Sequence, residues 1–281
     1  MTKEHLVGQL GIRLSCIKSE PQGPPKAVAV LVHGYAEHMG RYSHVIEALN
    51  QHNYVVFMLD HRGHGESEGA RACVEKFDYF VEDLHLLVQK AQSQYSDLPL
   101  MMIGHSMGGL ISTSYAIRYE SHLDGLVLSG AALHVGDDVP IYLKIISKYL
   151  AKLMPNLQVI PKADGVLSRD PEVERRFRAD PLCYNGGMKA RMGYELMVAI
   201  QNACEKMGQL SLPLLVMHGS ADKLTDPTGS KQLYREAQSA DKTLKLWPDY
   251  LHEIFNDIGK EDVLAFMLQW LDERVRQKTP A

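Results

Sequence analysis

The run Gly104-His105-Ser106-Met107-Gly108 fits the pattern G-x-S-x-G. That pattern sets a serine on a sharp turn from a strand into a helix, with its hydroxyl exposed to attack an acyl carbon. The surroundings agree. Residues 100–103 form an apolar run suited to a strand, and helical spacing begins at Met107. So tight a turn holds Ser106 in a strained backbone conformation. It also demands glycines two residues before and two after, where side chains would strike the neighbouring helix and strand.

A serine hydroxyl is a poor nucleophile at neutral pH and needs a base. The chain order that goes with this turn is serine, acid, histidine. The apolar run 212–217 leads into His218-Gly219-Ser220-Ala221-Asp222, and the run 243–247 leads into Pro248-Asp249-Tyr250-Leu251-His252. Asp222 and His252 therefore fall on loops just past two strand ends. There Asp222 holds the imidazole tautomer, and His252 takes the Ser106 proton and passes it to the leaving group. His218 reads as a packed or capping residue, and Asp226, before Pro227, as a helix start. Asp249 is too near His252 in sequence to meet the far side of its ring. His85 and His122 read as solvated helix positions. Charge that develops on the carbonyl oxygen needs preorganised amides, each worth about 2.7–4 kcal/mol. Met107 N–H, after the nucleophile, supplies one. Tyr35 N–H, in the loop after the apolar run 27–32, supplies the other.

These residues must be carried by elements, and the chain spells them out. Residues 6–18 around Gly11 read as a hairpin. Apolar runs at 27–32, 54–59, 100–103, 125–129, 212–217 and 243–247 read as strands buried on both faces. Helical spacing occupies 42–51, 77–95, 107–119, 230–238 and 263–275. Alternation of this kind predicts an α/β protein with a doubly wound, mostly parallel sheet, whose strand ends form the ligand edge. The alternation breaks at 135–191, which shows no convincing strand. Asp137-Asp138 suit a helix cap near Pro140, and prolines punctuate the rest of the stretch. The reading is a core over 1–134 and 192–281 with an insertion over 135–191 set between two core strands.

The whole chain is 281 residues, with 45% hydrophobic and 23% charged residues and a net charge of −4. Disorder is not expected at this composition. An acidic balance argues against a nucleic-acid partner. Cys16, Cys73, Cys183 and Cys204 show no C-x-x-C spacing, so neither a zinc site nor a disulfide framework is expected, and a reducing, cytoplasmic setting fits. No signal segment or spanning helix is apparent. Oligomeric state is not encoded legibly.

Three motifs carry a family resemblance. His33-Gly34-Tyr35-Ala36-Glu37-His38-Met39-Gly40-Arg41-Tyr42, Asp60-His61-Arg62-Gly63-His64-Gly65-Glu66-Ser67-Glu68-Gly69 and Gly104-His105-Ser106-Met107-Gly108-Gly109 together resemble the monoacylglycerol lipases of the α/β-hydrolase fold. Val166-Leu167-Ser168-Arg169-Asp170, Asp180-Pro181-Leu182 and Gly219-Ser220-Ala221-Asp222 extend the resemblance over nearly the whole chain. The resemblance implies hydrolysis of a monoacylglycerol to glycerol and fatty acid without a cofactor or metal. It also implies that the insertion is a helical cap over the site. By motif position it implies that Glu37 and Arg41 bind the glycerol end or fix the oxyanion loop, and that Phe177 is a pocket aromatic. The plain alternative for Glu37 and Arg41 is a local ion pair. Lysophospholipase-like esterases share the motifs, so a lysophospholipase or broad carboxylesterase is the near alternative. Transfer of the acyl group to another acceptor and a non-catalytic ligand receptor are more distant ones. Epoxide hydrolases and dehalogenases place Asp where Ser106 stands.

Within the insertion, residues 141–154 (Ile141 to Met154) have helical spacing. Ile141, Ile145, Ile146, Tyr149, Leu150 and Leu153 recur on one side, and Lys144, Lys148 and Lys152 fall every four residues. An apolar face with a lysine stripe suits a helix lying on an anionic membrane surface. Packing of that face over the active site, with the lysines merely in water, is the alternative.

Overall fold

A computed structural model describes residues 1–134 and 141–278, leaving out the side chains of 141–145 and 278. The predicted cap at Asp137-Asp138 and Pro140 lies outside the described residues, as do the side chains of Ile141, Lys144 and Ile145.

Each of the six apolar runs coincides with a strand, although the last of them, at 243–247, is only partly buried rather than covered on both faces. In chain order the strands begin with β1 (Thr2–Val7), β2 (Arg13–Ser19) and β3 (Ala27–Val32). After α1 (Ser43–Gln51) come β4 (Tyr54–Leu59), α2 (Asp78–Gln94), β5 (Leu100–His105), α3 (Met107–Tyr119) and β6 (Gly125–Ser129). Next are α4 (Ile141–Leu153), β7 (Gln158–Ile160), α5 (Pro171–Ala179), β8 (Met188–Lys189) and α6 (Ala190–Lys206). The chain closes with β9 (Leu214–Gly219), α7 (Pro227–Glu236), β10 (Lys242–Trp247) and α8 (Lys260–Lys278).

Eight strands form one sheet in the order β1-β2-β4-β3-β5-β6-β9-β10. The β1–β2 hairpin is antiparallel and joins β4 in antiparallel fashion, while all pairings from β4 to β10 are parallel. The period of two along a strand divides β3 between two cores. Val28, Val30 and Val32 face a core with α2, α3, α6 and α7, whereas Ala27, Ala29 and Leu31 face a core with α1 and α8. Helices on both faces bury β3, β4, β5, β6 and β9 completely, as a doubly wound parallel sheet requires.

One expectation about the insertion fails. The stretch read as strand-free contains β7 and β8, which pair antiparallel as a second, two-stranded sheet. Strands of three and two residues are too short for a periodicity to register. Helix α4 lies against α6; on it Ala151 is buried, while Ile146, Tyr149 and Leu153 are turned outward at 54%, 61% and 75% exposure. Lys148 and Lys152 are exposed as well. Among the described residues no helix is long and apolar enough to cross a membrane.

Candidate active site

Ser106 is the hinge between β5 and α3. Its backbone sits at φ 56°, ψ −120°, a region that costs a non-glycine residue about 1–3 kcal/mol. The turn is held by Ser106 N donating to Ser129 O at 3.0 Å and by Ala132 N donating to Ser106 O at 3.1 Å. The flanking glycines serve close approach. A Cβ at Gly104 would come within 2.4 Å of Ser112 Oγ, and one at Gly108 within 2.2 Å of Val32 O.

The loops after β9 and β10 bring two more residues to this edge. His252 Nε2 lies 2.8 Å from Ser106 Oγ, and His252 Nδ1 lies 2.7 Å from Asp222 Oδ2. Both the imidazole and the carboxylate are buried. In the neutral ring Nδ1–H donates to the carboxylate, which leaves Nε2 as acceptor for the Ser106 hydroxyl. Asp222 is heavily supported. Oδ1 accepts from Leu224 N at 2.8 Å and Thr225 N at 3.1 Å. Oδ2 also accepts from Thr225 Oγ1 at 2.8 Å and from His218 Nε2 at 3.1 Å. Burial alone would raise the Asp222 pKa, but the charge of His252 and the hydrogen bonds from His218 and His252 hold it far below the ordinary range. Burial works against a charged His252, yet Asp222, then Glu253 and Glu37, raise its pKa above the ordinary value.

Met107 opens α3. The loop carrying Tyr35 runs beside the nucleophile, since a Cβ at Gly34 would lie 3.1 Å from Ser106 Cβ. The Gly34 amide itself is occupied by Glu37 Oε1 at 2.6 Å. The Tyr35 side chain leaves the site: its hydroxyl donates to Ala72 O at 3.3 Å, and its ring packs edge-on against His64 and Tyr184.

Glu37, Arg41 and Phe177 form a seam rather than a free rim. Glu37 Oε1 also accepts from the Tyr42 hydroxyl at 2.8 Å, and Arg41 Nη1 donates to Glu37 Oε2 at 2.5 Å. Arg41 reaches across to Glu253 Oε1 at 2.8 Å and Oε2 at 2.7 Å. Its guanidinium lies over the Phe177 ring, 5.0 Å from the centroid. Phe177 is buried with Ala36, Leu167 and Cys183. Of the two roles expected for Glu37 and Arg41, this geometry favours fixing the oxyanion loop over holding glycerol. The same segment grips the core elsewhere: Tyr184 N donates to Ala36 O, and Glu253 N donates to Leu167 O, both at 2.7 Å.

The remaining candidates stand outside the Ser106–His252–Asp222 contact. Asp226 caps α7 through Thr228 N, ahead of Pro227. Asp249 is exposed and turned to φ 63°. His85 is not simply solvated, because it stacks on Tyr119 with centroids 4.1 Å apart. Among the described residues, His38, Asp180 and Cys183 place ligand-type atoms within 4.8 Å of one another. However, His38 Nδ1 accepts from Gly40 N, so Nε2 carries the hydrogen that meets Asp180 Oδ2 at 2.9 Å. That ring offers no lone pair to a cation, and burial pushes the Cys183 thiol pKa up to about 12. The group is a hydrogen-bonded clasp between the loop that carries Tyr35 and the insertion. Sequence reasoning missed Glu253 and Thr225 and undervalued His218. The only local signal for them was adjacency to His252 and Asp222.

Comparisons with known proteins bear on the fold and the family. A family model described as serine aminopeptidase, S33 (Hydrolase_4), matches residues 23–259. Monoacylglycerol lipase of Mycolicibacterium smegmatis is 38% identical over 269 residues, covering 95% of this chain and 96% of that protein. Monoglyceride lipase of Homo sapiens is 34% identical over 273 residues, covering 96% and 90%. The solved structure of a soluble variant of Saccharomyces cerevisiae monoglyceride lipase with a substrate analog superposes with a TM-score of 0.85 at 26% identity, covering 97% of this chain and 94% of that one. Matched at this extent, the chain belongs to the Hydrolase_4 family of serine hydrolases and has the α/β-hydrolase fold.

Proposed function

We propose that the protein is a carboxylic ester hydrolase that cleaves monoacylglycerols to glycerol and free fatty acid. The observation that carries the chemistry is the unbroken contact from Ser106 Oγ through His252 to Asp222, at 2.8 and 2.7 Å. The substrate class is supported by the names of its relatives. Ser106 Oγ attacks the ester carbonyl carbon while His252 Nε2 takes the hydroxyl proton. The amides of Tyr35 and Met107 receive the oxyanion. The carbonyl reforms, the C–O bond to glycerol breaks, and His252 gives its proton to the departing oxygen. Water then enters, loses a proton to His252 and splits the acyl-serine by the same steps. No cofactor is needed for any of them.

The insertion, 135–191, acts in this reading as a cap that delivers the lipid. Ile146, Tyr149 and Leu153, with Lys148 and Lys152 on the same helix, form an apolar, cationic surface suited to transient contact with an anionic bilayer. The four cysteines are free thiols, consistent with a reducing compartment.

The test is product analysis on monoacylglycerols beside lysophospholipids and short esters, with fluorophosphonate labelling of the parent and of Ser106→Ala. Faster turnover of monoacylglycerols and labelling lost only in Ser106→Ala support the proposal. Preference for lysophospholipids overturns the substrate, and unlabelled parent protein overturns the mechanism.

A further inference from the structure

His218 is a buried titratable side chain in contact with the site to which the proposed reaction gives no task. His218 lies in β9, four residues before Asp222, and is wholly buried. Its Nε2 lies 3.1 Å from Asp222 Oδ2, the same oxygen that His252 uses, and 3.1 Å from Thr225 O. Both neighbours are acceptors without hydrogens, so Nε2 must carry one. The neutral ring then has a bare Nδ1, and the Ser230 hydroxyl lies 2.7 Å from it. Ser230 stands in α7 and is itself fully buried.

We infer that His218 is a positioning residue for the hydrolytic site, the inner half of one hydrogen-bonded chain running Ser230, His218, Asp222, His252, Ser106. This rests on the reading of Ser106, His252 and Asp222 as the reacting group. Two backbone amides pin Oδ1 of Asp222, and His218 fixes Oδ2 in the direction of His252. As a donor it also draws negative charge from the oxygen on which the His252 imidazolium depends, and so moderates the basicity of His252. Ser230 keeps His218 in the tautomer that donates.

The charged surroundings do not supply this effect in another way. His252 faces Asp222, Glu253 and Glu37, and the His105 ring, 4.8 Å away between centroids, burial keeps mostly neutral with a pKa of about 4. Besides Asp222, His218 interacts electrostatically with Asp226 across the turn, and Asp226 also senses His134. Removing His218 therefore takes away a donor to Asp222 and leaves the carboxylates around His252 in place.

The experiment follows kcat and KM for a short soluble ester against pH in the parent, His218→Leu and His218→Gln, with Tm measured alongside. Loss of the donor in His218→Leu should move the acid limb of kcat/KM up by about half a pH unit and lower plateau kcat about tenfold, with KM little changed. His218→Gln, whose amide can still donate to Oδ2, should keep the parental limb. A residue that only fills space would lower Tm and leave the limb alone. Ring-nitrogen NMR of the parent chain above neutral pH gives a readout that needs no variant: His218 should carry its hydrogen on Nε2. A folded His218→Leu with the parental limb, a His218→Gln displaced like His218→Leu, or a hydrogen on Nδ1 overturns the inference. Asp222→Asn separates the two levels. If it is impaired while His218→Leu matches the parent, only the role of His218 falls; if Asp222→Asn is fully active, the hydrolytic reading falls first.

Discussion

Arg41 holds Glu253 through two nitrogens, Nη1 at 2.8 Å and Nη2 at 2.7 Å, and so ties the residue after His252 to the loop that carries Tyr35. The same guanidinium meets Glu37. One cation thus bridges two buried carboxylates that lie far apart in the chain. Burial would raise the Glu37 pKa, but Arg41, His105 and the donors on Tyr42 and Gly34 hold it below the ordinary value.

Removing that cation should be severe. Arg41→Met leaves two buried carboxylates unpaired, and breaking a buried pair in this way costs about 3–5 kcal/mol. Urea unfolding of the variant measures the loss. Because Lys cannot reproduce a two-nitrogen fork, Arg41→Lys should recover only part of it. A loss for Arg41→Met no larger than that of an exposed salt bridge would refute the clamp.

The strain at Ser106 predicts a split between stability and activity. Ser106→Ala and Ser106→Gly should both lower turnover on the order of 10⁶, as nucleophile knockouts do. Glycine tolerates the φ of 56° and alanine does not, so Ser106→Gly should be more stable than Ser106→Ala by about 1–3 kcal/mol. Equal denaturation midpoints for the two would show that the elbow stores no strain.

The pH profile should follow His252. Its ring must be neutral to take the Ser106 proton, and its pKa is raised above 6.5. The acid limb of kcat/KM is therefore expected above that value. Asp222→Asn removes the anion that opposes the effect of burial, so the limb should fall while the rate drops about 10⁴-fold. An acid limb at the same pH in both proteins would separate His252 from the chemistry.

Stability should decline on mild acidification. Burial holds His33 and His61 well below 6.5, and His64 and His105 at about 4. The unfolded chain takes up protons below 6.5 that these rings refuse, so stability is lost as pH falls through that window, by up to about 1.4 kcal/mol per pH unit for each ring. Asp60 acts in the opposite sense. Burial raises its pKa to about 6, so the folded state takes its proton first. His252 also acts in this opposite sense: its pKa is raised, so its stabilisation is complete below 6.5 and is lost as pH rises above that value. Burial lowers His44 and His85 as well, so the histidines held neutral outnumber Asp60, Asp83 and His252, which are raised, and the net loss is to be read from urea midpoints at pH 7.5 and pH 5. Identical midpoints would contradict it.

Charge on α4 should govern binding to vesicles. Reversing Lys144, Lys148 and Lys152 to Glu should weaken sedimentation with anionic liposomes, by about 1 kcal/mol for each lysine lost near the surface. Turnover of a short soluble ester should stay unchanged. Undiminished liposome binding would remove the membrane role of this helix.

Much of this was legible in the chain. Two-sided apolar runs marked β3 to β6 and β9, because buried parallel strands admit little else. G-x-S-x-G marked Ser106, and strand ends followed by loops marked Asp222 and His252. Other features left no local trace. The Arg41–Glu253 pair spans 212 positions, and no spacing rule joins residues so far apart. His218 looked like filler because a donor to a carboxylate has no motif. The period of α4 revealed an apolar side but not its direction, which depends on where α6 lies.

The order of strands has a consequence for how the enzyme loses activity. His252, the proposed base, follows β10, an edge strand that is only partly buried and pairs with β9 alone. Edge elements open at lower free energy than the core they border. A slip of one residue along β10 would carry His252 about 3.3 Å, farther than its 2.7 Å contact with Asp222 can follow. Ser106, mounted on the central β5, would not move. Warming should therefore produce a population that is folded by circular dichroism yet silent toward ester, with its nucleophile in place and its base withdrawn.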